Sequence, residues 1–287
     1  METKGRFAEI LSYSVKEFTP FYTSEKAVIF NNDCLEVLRS IPENSIDMIF
    51  ADPPYMLSND GFTCRNGRMA NVNKGKWDKS GGLEQDTVFH NEWISACRRV
   101  LKPEGTIWIS GTYHSIYQCG YLLQKNSFHI LNDIVWFKPN ASPNLSCRFF
   151  TASHETLIWA RKDRNAKHIF NYDAMKNGLF PEDKLKKENT QMRSVWSIPK
   201  PGNAEKEYGK HPTQKPLELL KRIVSASTKE NNIVLDPFCG SGTTGAACMY
   251  YANIFFIGIE IDRDFCGLAE KRLEHQQGGL FPCENAY

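Results

Sequence analysis

The stretch Ile-Val-Leu-Asp-Pro-Phe-Cys-Gly-Ser-Gly-Thr-Thr at residues 233 to 244 decides the fold class of this chain. Its apolar start predicts a buried strand, and the glycine-rich turn that follows lets the backbone approach a ligand. The next residues, Gly245 to Tyr251, predict a helix, and Phe255 to Ile261 predicts another strand with Glu260 and Asp262 at its end. This order of elements is typical of a mainly parallel α/β sheet that binds ligands at the carboxyl ends of its strands.

The same alternation extends outward from this stretch to most of the 287 residues. Apolar runs and helical spacing predict, in order, a strand at Ala27 to Phe30, a helix at Cys34 to Ile41, a strand at Ile46 to Ala51, a helix at Val88 to Leu101 and a strand at Thr106 to Ser110. The length suits one large core. We therefore predict a single doubly wound α/β domain over residues 1–287.

Two segments depart from this alternation. Residues 56–85 are rich in Asn, Gly, Ser and Lys and exceed the usual length of a connection, so we expect a mobile loop there. Residues 162–209 are polar, weakly periodic and unsuited to a core of their own, so we expect a small appendage. Both segments carry more Lys and Arg than Asp and Glu, which suits contact with phosphates but is equally compatible with solvated loops.

The composition excludes several classes of protein. A formal net charge of +2 is too small to indicate a nucleic-acid partner by itself. The nine cysteines include no Cys-x-x-Cys pair, which argues against a disulfide framework or a zinc site. A run of about 18 apolar residues is absent from the sequence, and the N-terminus is charged. We expect a cytoplasmic protein with free thiols, no metal centre and no membrane association.

The glycine turn alone admits more than one cofactor. Gly240, Gly242 and Gly245 fit the Gly-x-Gly-x-x-Gly spacing of dinucleotide sites, and Glu260 follows at a distance that suits a carboxylate bound to ribose hydroxyls. On spacing, a nicotinamide cofactor and S-adenosylmethionine, which also carries a ribose, both remain open. The turn lacks the Gly-Lys-Ser/Thr ending of a phosphate-binding loop, which disfavours a nucleoside triphosphatase.

Asp-Pro-Pro-Tyr at residues 52 to 55 is the more specific motif. An amino group on a heterocycle is a poor nucleophile until acceptors bind its hydrogens, and the Asp52 carboxylate and the Pro53 carbonyl are suited to accept one each. Pro53 and Pro54 make the loop rigid. Tyr55 offers an aromatic ring on which an extruded base can stack. A plain turn with a surface tyrosine is the alternative for this tetrapeptide taken in isolation.

Together these motifs resemble the S-adenosylmethionine-dependent amino methyltransferases of DNA. The resemblance rests on Asp-Pro-Pro-Tyr at 52 to 55, His-Pro-Thr-Gln-Lys-Pro at 211 to 216, Asp-Pro-Phe-Cys-Gly-Ser-Gly-Thr-Thr at 236 to 244 and Ile-Gly-Ile-Glu at 257 to 260. The tetrapeptide precedes the glycine turn, as in the permuted beta group of this family. That likeness implies a circularly permuted, seven-stranded, Rossmann-like sheet, with residues 162–209 as the target-recognition segment.

A narrower resemblance concerns the target. Lys-Gly-Lys-Trp-Asp-Lys at 74 to 79, Trp-Ile-Ser-Gly at 108 to 111 and Asn-Leu-Ser-Cys-Arg-Phe-Phe-Thr at 144 to 151 are similar to the DpnA-type methyltransferases of GATC restriction-modification systems. This implies methylation of the N6 amino group of adenine in GATC, on duplex and also on unpaired DNA. Two further partners are considered, a second copy of the chain and a restriction endonuclease that acts on the same site, and the residues leave both open.

The resemblance also assigns site residues. The catalytic set is Asp52, Pro53, Pro54 and Tyr55. The set that binds S-adenosylmethionine is Asp33, Cys34, Asp52, His211, Thr213, Lys215, Asp236, Pro237, Phe238, Gly240, Ser241, Gly242, Thr243, Thr244 and Glu260. Within this set, Thr213 and Lys215 are expected near the methionine end and Asp33 near the adenine. The candidates for DNA contact are Arg65, Arg68, Lys74, Lys76, Arg148 and Arg193, which equally fit a solvated surface.

Three rival functions stay open on the sequence. The first keeps the chemistry but moves it to the N4 amino group of cytosine, although Asp rather than Ser before Pro-Pro-Tyr favours adenine. The second is methylation of RNA or of a protein side chain, which the basic segments permit. The third is a catalytically inactive DNA-binding protein, against which the complete tetrapeptide at 52 to 55 argues.

Overall fold

The computed structural model describes residues 2–56, 62–65, 68–71, 78–176, 187 and 189–278. The helices are α1 (Glu2–Glu17), α2 (Cys34–Ser40), α3 (Leu83–Val100), α4 (Ile116–Lys125), α5 (Leu217–Ser227), α6 (Thr243–Tyr250) and α7 (Arg263–Gly278). The strands are β1 (Tyr22–Thr23), β2 (Ala27–Asn31), β3 (Ile46–Ala51), β4 (Phe62–Arg65), β5 (Arg68–Asn71), β6 (Leu101–Gly111), β7 (His129–Phe137), β8 (His154–Arg161), β9 (Val195–Ser197), β10 (Ile233–Asp236) and β11 (Phe255–Glu260).

Nine of these strands form one sheet in the order β1-β2-β11-β10-β3-β6-β8-β7-β9. The strands β2, β11, β10, β3 and β6 are parallel neighbours, whereas β8 runs antiparallel to both β6 and β7. The mainly parallel α/β class predicted from the sequence is confirmed. The short edge strands β1 and β9 extend the predicted seven strands to nine.

Helices cover both faces of the sheet because its central strands are apolar on both sides. In β2, Val28 and Phe30 face a core shared with α1 to α4, while Ala27 and Ile29 face a core shared with α5 to α7. The alternation follows from the two-residue period of a strand. The double layer fixes the loops that leave the strand ends, and these loops build the site.

One boundary differs from the prediction. The residues Lys102 to Gly105 were expected to separate a helix from a strand, but they lie inside β6, which begins at Leu101. A register shift between Ile46 and Met48 interrupts the pairing of β3 with β6 at this point. Such an irregularity accommodates Pro103, which has no amide hydrogen for a regular ladder.

The two unusual segments are partly described. Within residues 56–85, β4 and β5 form an antiparallel hairpin and α3 begins at Leu83, while residues 57–61, 66–67 and 72–77 lie outside the described residues. Within residues 162–209, β9 pairs in parallel with β7, which attaches part of this polar segment to the edge of the sheet. Residues 177–186 and 188 lie outside the described part.

Candidate active site

The carboxyl ends of β2, β11, β10 and β3 lie side by side and enclose a cavity of about 250 Å³. Its wall is formed by the residues that follow these strands and by the segment that precedes α5. Every residue that the sequence assigned to catalysis or to cofactor binding lines this cavity, apart from Gly242. The topology therefore brings together motifs that are far apart in the chain.

Two glycines shape the turn between β10 and α6. Gly240 and Gly242 adopt φ angles of 50° and 73°, in the left-handed region that favours glycine. A Cβ atom on Gly242 would lie 2.7 Å from the Cβ atom of Ala269, so this glycine permits close packing against α7. A Cβ atom on Gly240 would lie 3.1 Å from the imidazole Nε2 atom of His211. Gly240 thus keeps the cavity wall open, whereas Gly242 has a packing role.

Arg272 of α7 supports the same turn from behind, and no sequence motif indicated it. Its guanidinium donates hydrogen bonds to the carbonyl of Ser241 at 2.8 Å, to the hydroxyl of Ser241 at 2.9 Å and to the hydroxyl of Thr243 at 2.8 Å. The side chain is buried. These contacts fix the first residues of α6 relative to α7.

Two carboxylates tie the turn to the strands on either side. Asp236 accepts hydrogen bonds from the Thr244 hydroxyl and from the Phe238 amide, and burial raises the pKa of Asp236 to about 7. Glu260 accepts hydrogen bonds from the amides of Gly240 at 2.7 Å and Asp262 at 2.8 Å, and burial also raises its pKa. A carboxylate has about four lone-pair sites, so the Glu260 carboxylate retains capacity for hydroxyl groups of a ligand.

Asp33 lies at the end of β2, next to Glu260. Its side chain caps α2 by accepting a hydrogen bond from the Leu35 amide at 2.7 Å. The Asn32 amide donates to the carbonyl of Glu260, which joins the ends of β2 and β11. Asp33 and Cys34 therefore line the cavity next to Glu260, where they would contact one end of an elongated ligand.

Asp52 follows β3 and is held by two donors. The Tyr55 hydroxyl donates to its Oδ1 atom at 2.6 Å, and the Lys215 ammonium donates to its Oδ2 atom. Burial raises the pKa of Asp52, and the positive charge of Lys215 opposes that rise. Burial disfavours the charged form of Lys215 too, but the carboxylates of Asp52 and Glu155 outweigh it and raise the pKa of the ammonium.

Glu155 of β8 completes this cluster, and sequence reasoning missed it. Its Oε2 atom accepts a hydrogen bond from the Tyr55 hydroxyl at 3.0 Å and lies 3.6 Å from the Lys215 ammonium. Its Oε1 atom accepts from the Lys138 ammonium at the end of β7. Burial favours the neutral form of Glu155, but the charges of Lys215 and Lys138 prevail and lower its pKa to about 2.

The ring of Tyr55 is only 4% exposed, and the Lys215 ammonium lies 5.3 Å from its centroid. Burial raises the pKa of Tyr55 well above its ordinary value, so the hydroxyl stays protonated and donates. The structure thus reveals a hydrogen-bonding role toward Asp52 that the sequence did not suggest. The stacking role of the ring remains a prediction.

Asp78 holds the backbone at the end of the Asp-Pro-Pro-Tyr motif. Its Oδ1 atom accepts hydrogen bonds from the amides of Tyr55 at 2.8 Å and Met56 at 2.9 Å, and its side chain is buried. Met56 has a φ angle of 56°, which is unusual for a residue with a side chain. The two bonds to Asp78 offset this strain and fix the direction in which the chain leaves the site.

The cavity suits a nucleoside with a positively charged group. Asp33, Asp236 and Glu260 place carboxyl groups along one side, and Phe238 and Phe265 offer aromatic rings. Hydroxyls of a ribose match these carboxyl acceptors, and the acidic side chains of the cavity wall favour a cation over an anion. The residues present therefore fit S-adenosylmethionine, which combines a ribose with a sulfonium.

Two of the candidates for DNA contact, Arg148 and Arg193, do not line the cavity. Arg148 is exposed in the loop between β7 and β8, and Arg193 is exposed just before β9 at the edge of the sheet. Arg65 and Arg68 are backbone partners in the β4–β5 hairpin. Lys74 and Lys76 lie outside the described residues. Their assignment to DNA stays a prediction.

Seven cysteines of the described residues are free thiols: Cys34, Cys97, Cys119, Cys147, Cys239, Cys248 and Cys266. Within the same part of the chain, no cluster of three or more His, Cys, Asp or Glu side chains is arranged to hold a metal ion. None of the helices in it combines the length and the apolar character needed to cross a membrane.

Comparison with known proteins agrees with this geometry. Residues 46–271 match a family model described as DNA methylase (N6_N4_Mtase). The chain is 49% identical over 246 residues to the Type II methyltransferase M2.MboI of Moraxella bovis, covering 85% of this chain and 86% of the relative. It is 46% identical over 256 residues to the Type II methyltransferase M2.DpnII of Streptococcus pneumoniae, covering 89% and 92%. The crystal structure of the M1.HpyAVI–SAM complex superposes with a TM-score of 0.63 at 30% identity, covering 86% of this chain and 98% of that chain.

Proposed function

Because the chain belongs to the DNA methylase family, we propose that it methylates the N6 amino group of adenine within GATC. It is a DNA methyltransferase of the type found in restriction-modification systems, and its methyl donor is S-adenosylmethionine. The observation that carries the proposal is the position of Asp52, which lies beside the cavity at the end of β3 with both carboxylate oxygens held by donors.

The residues of this chain supply positioning and electrostatics. S-adenosylmethionine, when bound, supplies an electrophilic methyl group on a positively charged sulfur. Asp52 accepts a hydrogen bond from the target amino group, which favours a tetrahedral nitrogen and stabilises the positive charge that develops on it. The carbonyl of Pro53 accepts the second hydrogen, and the two prolines keep this carbonyl in place. Held in line with the methyl group, the amino nitrogen needs no covalent enzyme intermediate.

Cofactor binding is assigned to the opposite side of the cavity. Glu260 would accept the ribose hydroxyls, Asp33 would hold the adenine end and Thr213 would hold the methionine end of S-adenosylmethionine. Gly240 has no side chain, so the cofactor can approach the backbone of this turn closely. Asp236 holds the turn in place by accepting hydrogen bonds from Phe238 and Thr244. Lys215 pairs with Asp52, so we assign it to the junction of the two halves of the site.

Adenine in GATC is supported by the sequence. The tetrapeptide begins with Asp, and the stretches at 74 to 79, 108 to 111 and 144 to 151 are similar to GATC methyltransferases. We extend the proposal to Arg65, Arg68, Lys74, Lys76, Arg148 and Arg193 as contacts to DNA and to residues 162–209 as the target-recognition segment. We also propose that the protein forms a homodimer, that it is cytoplasmic and that a restriction endonuclease acts on the same DNA site.

One experiment tests the proposal directly. Purified protein is incubated with methyl-labelled S-adenosylmethionine and with oligonucleotides that contain GATC or a permuted sequence, in duplex and single-stranded form, and the labelled nucleoside is identified. We expect N6-methyl-2′-deoxyadenosine from the GATC duplex. Label in N4-methylcytosine would support the cytosine rival, and equal labelling of the permuted sequence would refute GATC. The same treatment should protect DNA from an endonuclease that cleaves unmethylated GATC.

A further inference from the structure

Four charged side chains, those of Asp52, Lys138, Glu155 and Lys215, lie close together at the Asp-Pro-Pro-Tyr motif. Asp52 pairs with Lys215, and Glu155 pairs with Lys138 while also lying 3.6 Å from Lys215. The exposed fractions of these side chains are 14% for Asp52, 5% for Lys215, 10% for Glu155 and 14% for Lys138. Two negative and two positive charges are therefore enclosed together, and their sum is zero.

We propose that Glu155 is a positioning residue that neutralises the surplus positive charge of the two lysines and so allows the cavity to accept a sulfonium beside Asp52. This inference rests on the proposed methyl transfer and adds to it a residue that does not line the cavity. Glu155 acts through Lys215 and Tyr55, since both of them contact Asp52 directly.

Both donors that hold Asp52, the Tyr55 hydroxyl and the Lys215 ammonium, also lie close to the Glu155 carboxylate. The Tyr55 hydroxyl lies 2.6 Å from Asp52 and 3.0 Å from Glu155, and the Lys215 ammonium contacts both carboxylates. Without the negative charge of Glu155, both donors would interact more strongly with Asp52. Asp52 would then be a weaker acceptor for an amino group, because its charge would be more fully compensated.

The groups around Glu155 come from three neighbouring strands or their ends and from the segment that precedes α5. Ser110 of β6 lies 3.4 Å from its Oε2 atom, Lys138 follows β7, Lys215 precedes α5, and Tyr55 follows β3. Glu155 stays ionised at the pH of any ordinary assay, because the two lysines hold its pKa at about 2. Its charge is therefore a constant feature of the site.

A charge test separates this role from simple packing. S-adenosylmethionine carries a sulfonium, whereas S-adenosylhomocysteine, which remains after the methyl group has left and its bonding electron pair has stayed on sulfur, has a neutral thioether. A surplus positive charge near Asp52 repels the first and hardly affects the second. A loss of packing would weaken both ligands alike.

The experiment measures the dissociation constants of both ligands by calorimetry, without DNA, for the full chain and three variants. For Glu155→Gln we expect the preference for S-adenosylmethionine over S-adenosylhomocysteine to fall by about ten-fold, the order expected when one unit of charge is removed near the sulfonium in a partly polar site. For Lys138→Met, which removes a positive charge, we expect the preference to rise. For the double variant, which is neutral again, we expect a return to within about two-fold of the unmodified protein.

Equal weakening of both ligands by Glu155→Gln would overturn the proposal. An unchanged or reduced preference in Lys138→Met would overturn it independently, so the test holds even if Glu155→Gln fails to fold. Failure of the proposed adenine specificity is a separate outcome, since the calorimetric measurement contains no DNA.

Discussion

Lys215 donates a hydrogen bond to the Oδ2 atom of Asp52, although 163 positions separate the two residues in the chain. The motif that contains Lys215 was expected to serve the cofactor, whereas the motif that contains Asp52 was expected to serve the target base, with Asp52 also assigned to the cofactor. The ion pair joins the two, so a change in either residue should affect both halves of the reaction. It also makes the protonation of Asp52 depend on a neighbouring charge.

Replacement of Asp52 should strongly reduce methyl transfer while DNA binding is largely kept. Asp52→Asn keeps the shape but loses the negative charge, and we expect turnover to fall by about 10²–10³-fold, as for other groups that stabilise charge in a transition state. Asp52→Ala should lower it at least as far. Labelled methyl transfer measures turnover, and gel shift and calorimetry measure binding. Asp133→Asn, on the exposed surface of β7, is the matched control. Full activity in Asp52→Ala would remove Asp52 from the mechanism.

Replacement of Lys215 should change the pH dependence of turnover. The ammonium of Lys215 opposes the rise that burial causes in the pKa of Asp52, so Lys215→Met should raise that pKa further. Since Asp52 must be ionised to accept a hydrogen bond from the amino group, the acid limb of the pH–rate profile should move to higher pH. The exposed control Lys229→Met should leave the profile in place. A uniform loss of activity at every pH would mean that Lys215 acts only through packing or cofactor contacts.

Asp236 should make the stability of the ligand-free protein depend on pH. Burial raises its pKa to about 7, whereas an unfolded chain has an aspartate pKa of about 4. Between these two values the folded state holds a proton that the unfolded state releases, so this contribution to stability is present below about pH 4 and is lost as the pH rises to about 7. One pKa unit corresponds to about 1.4 kcal/mol, so the effect should exceed about 1 kcal/mol.

Asp236→Asn tests this sign directly, because the amide does not titrate. Relative to the unmodified protein, the variant should gain stability as the pH is raised from 5 to about 8 in thermal or urea unfolding. Its cofactor affinity should be lower, since it loses a carboxylate that holds Thr244. If the difference in unfolding free energy between variant and parent stays flat with pH, Asp236 does not titrate in this range.

Cys239 lies in the glycine turn, but it should be dispensable for catalysis. Its thiol is buried, and burial raises its pKa well above the ordinary value, so no thiolate nucleophile is present at neutral pH. Cys239→Ala should keep most of the methyl transfer activity and lose about 1 kcal/mol of stability from the small cavity it leaves beside Gly258. Complete loss of turnover in a folded variant that still binds cofactor would contradict a mechanism without a covalent intermediate.

The sequence predicted the parts of the site that depend on neighbours in the chain. A strand that ends in Asp-Pro-Pro-Tyr, and a strand that ends in a glycine turn, specify their own local geometry. Glu155 and Arg272 could not be found in this way. The first reaches the site because β8 runs antiparallel beside β6, and the second because α7 packs against the start of α6. Neither pairing has a local signature, so only the folded structure identifies these residues.

Arg272 should determine cofactor affinity without touching the cofactor. Its guanidinium holds Ser241 and Thr243 through three hydrogen bonds, so Arg272→Met should loosen the turn and weaken S-adenosylmethionine binding by about ten-fold, with about 1–3 kcal/mol lost from stability. Arg272→Lys keeps the positive charge but lacks the planar guanidinium, so it should bind S-adenosylmethionine more tightly than Arg272→Met and less tightly than the unmodified protein. The exposed neighbour variant Lys271→Met is the control. Calorimetry measures the affinity and thermal unfolding measures the stability. If Arg272→Met lowers the melting temperature but leaves the affinity for S-adenosylmethionine unchanged, Arg272 only holds α7 in place.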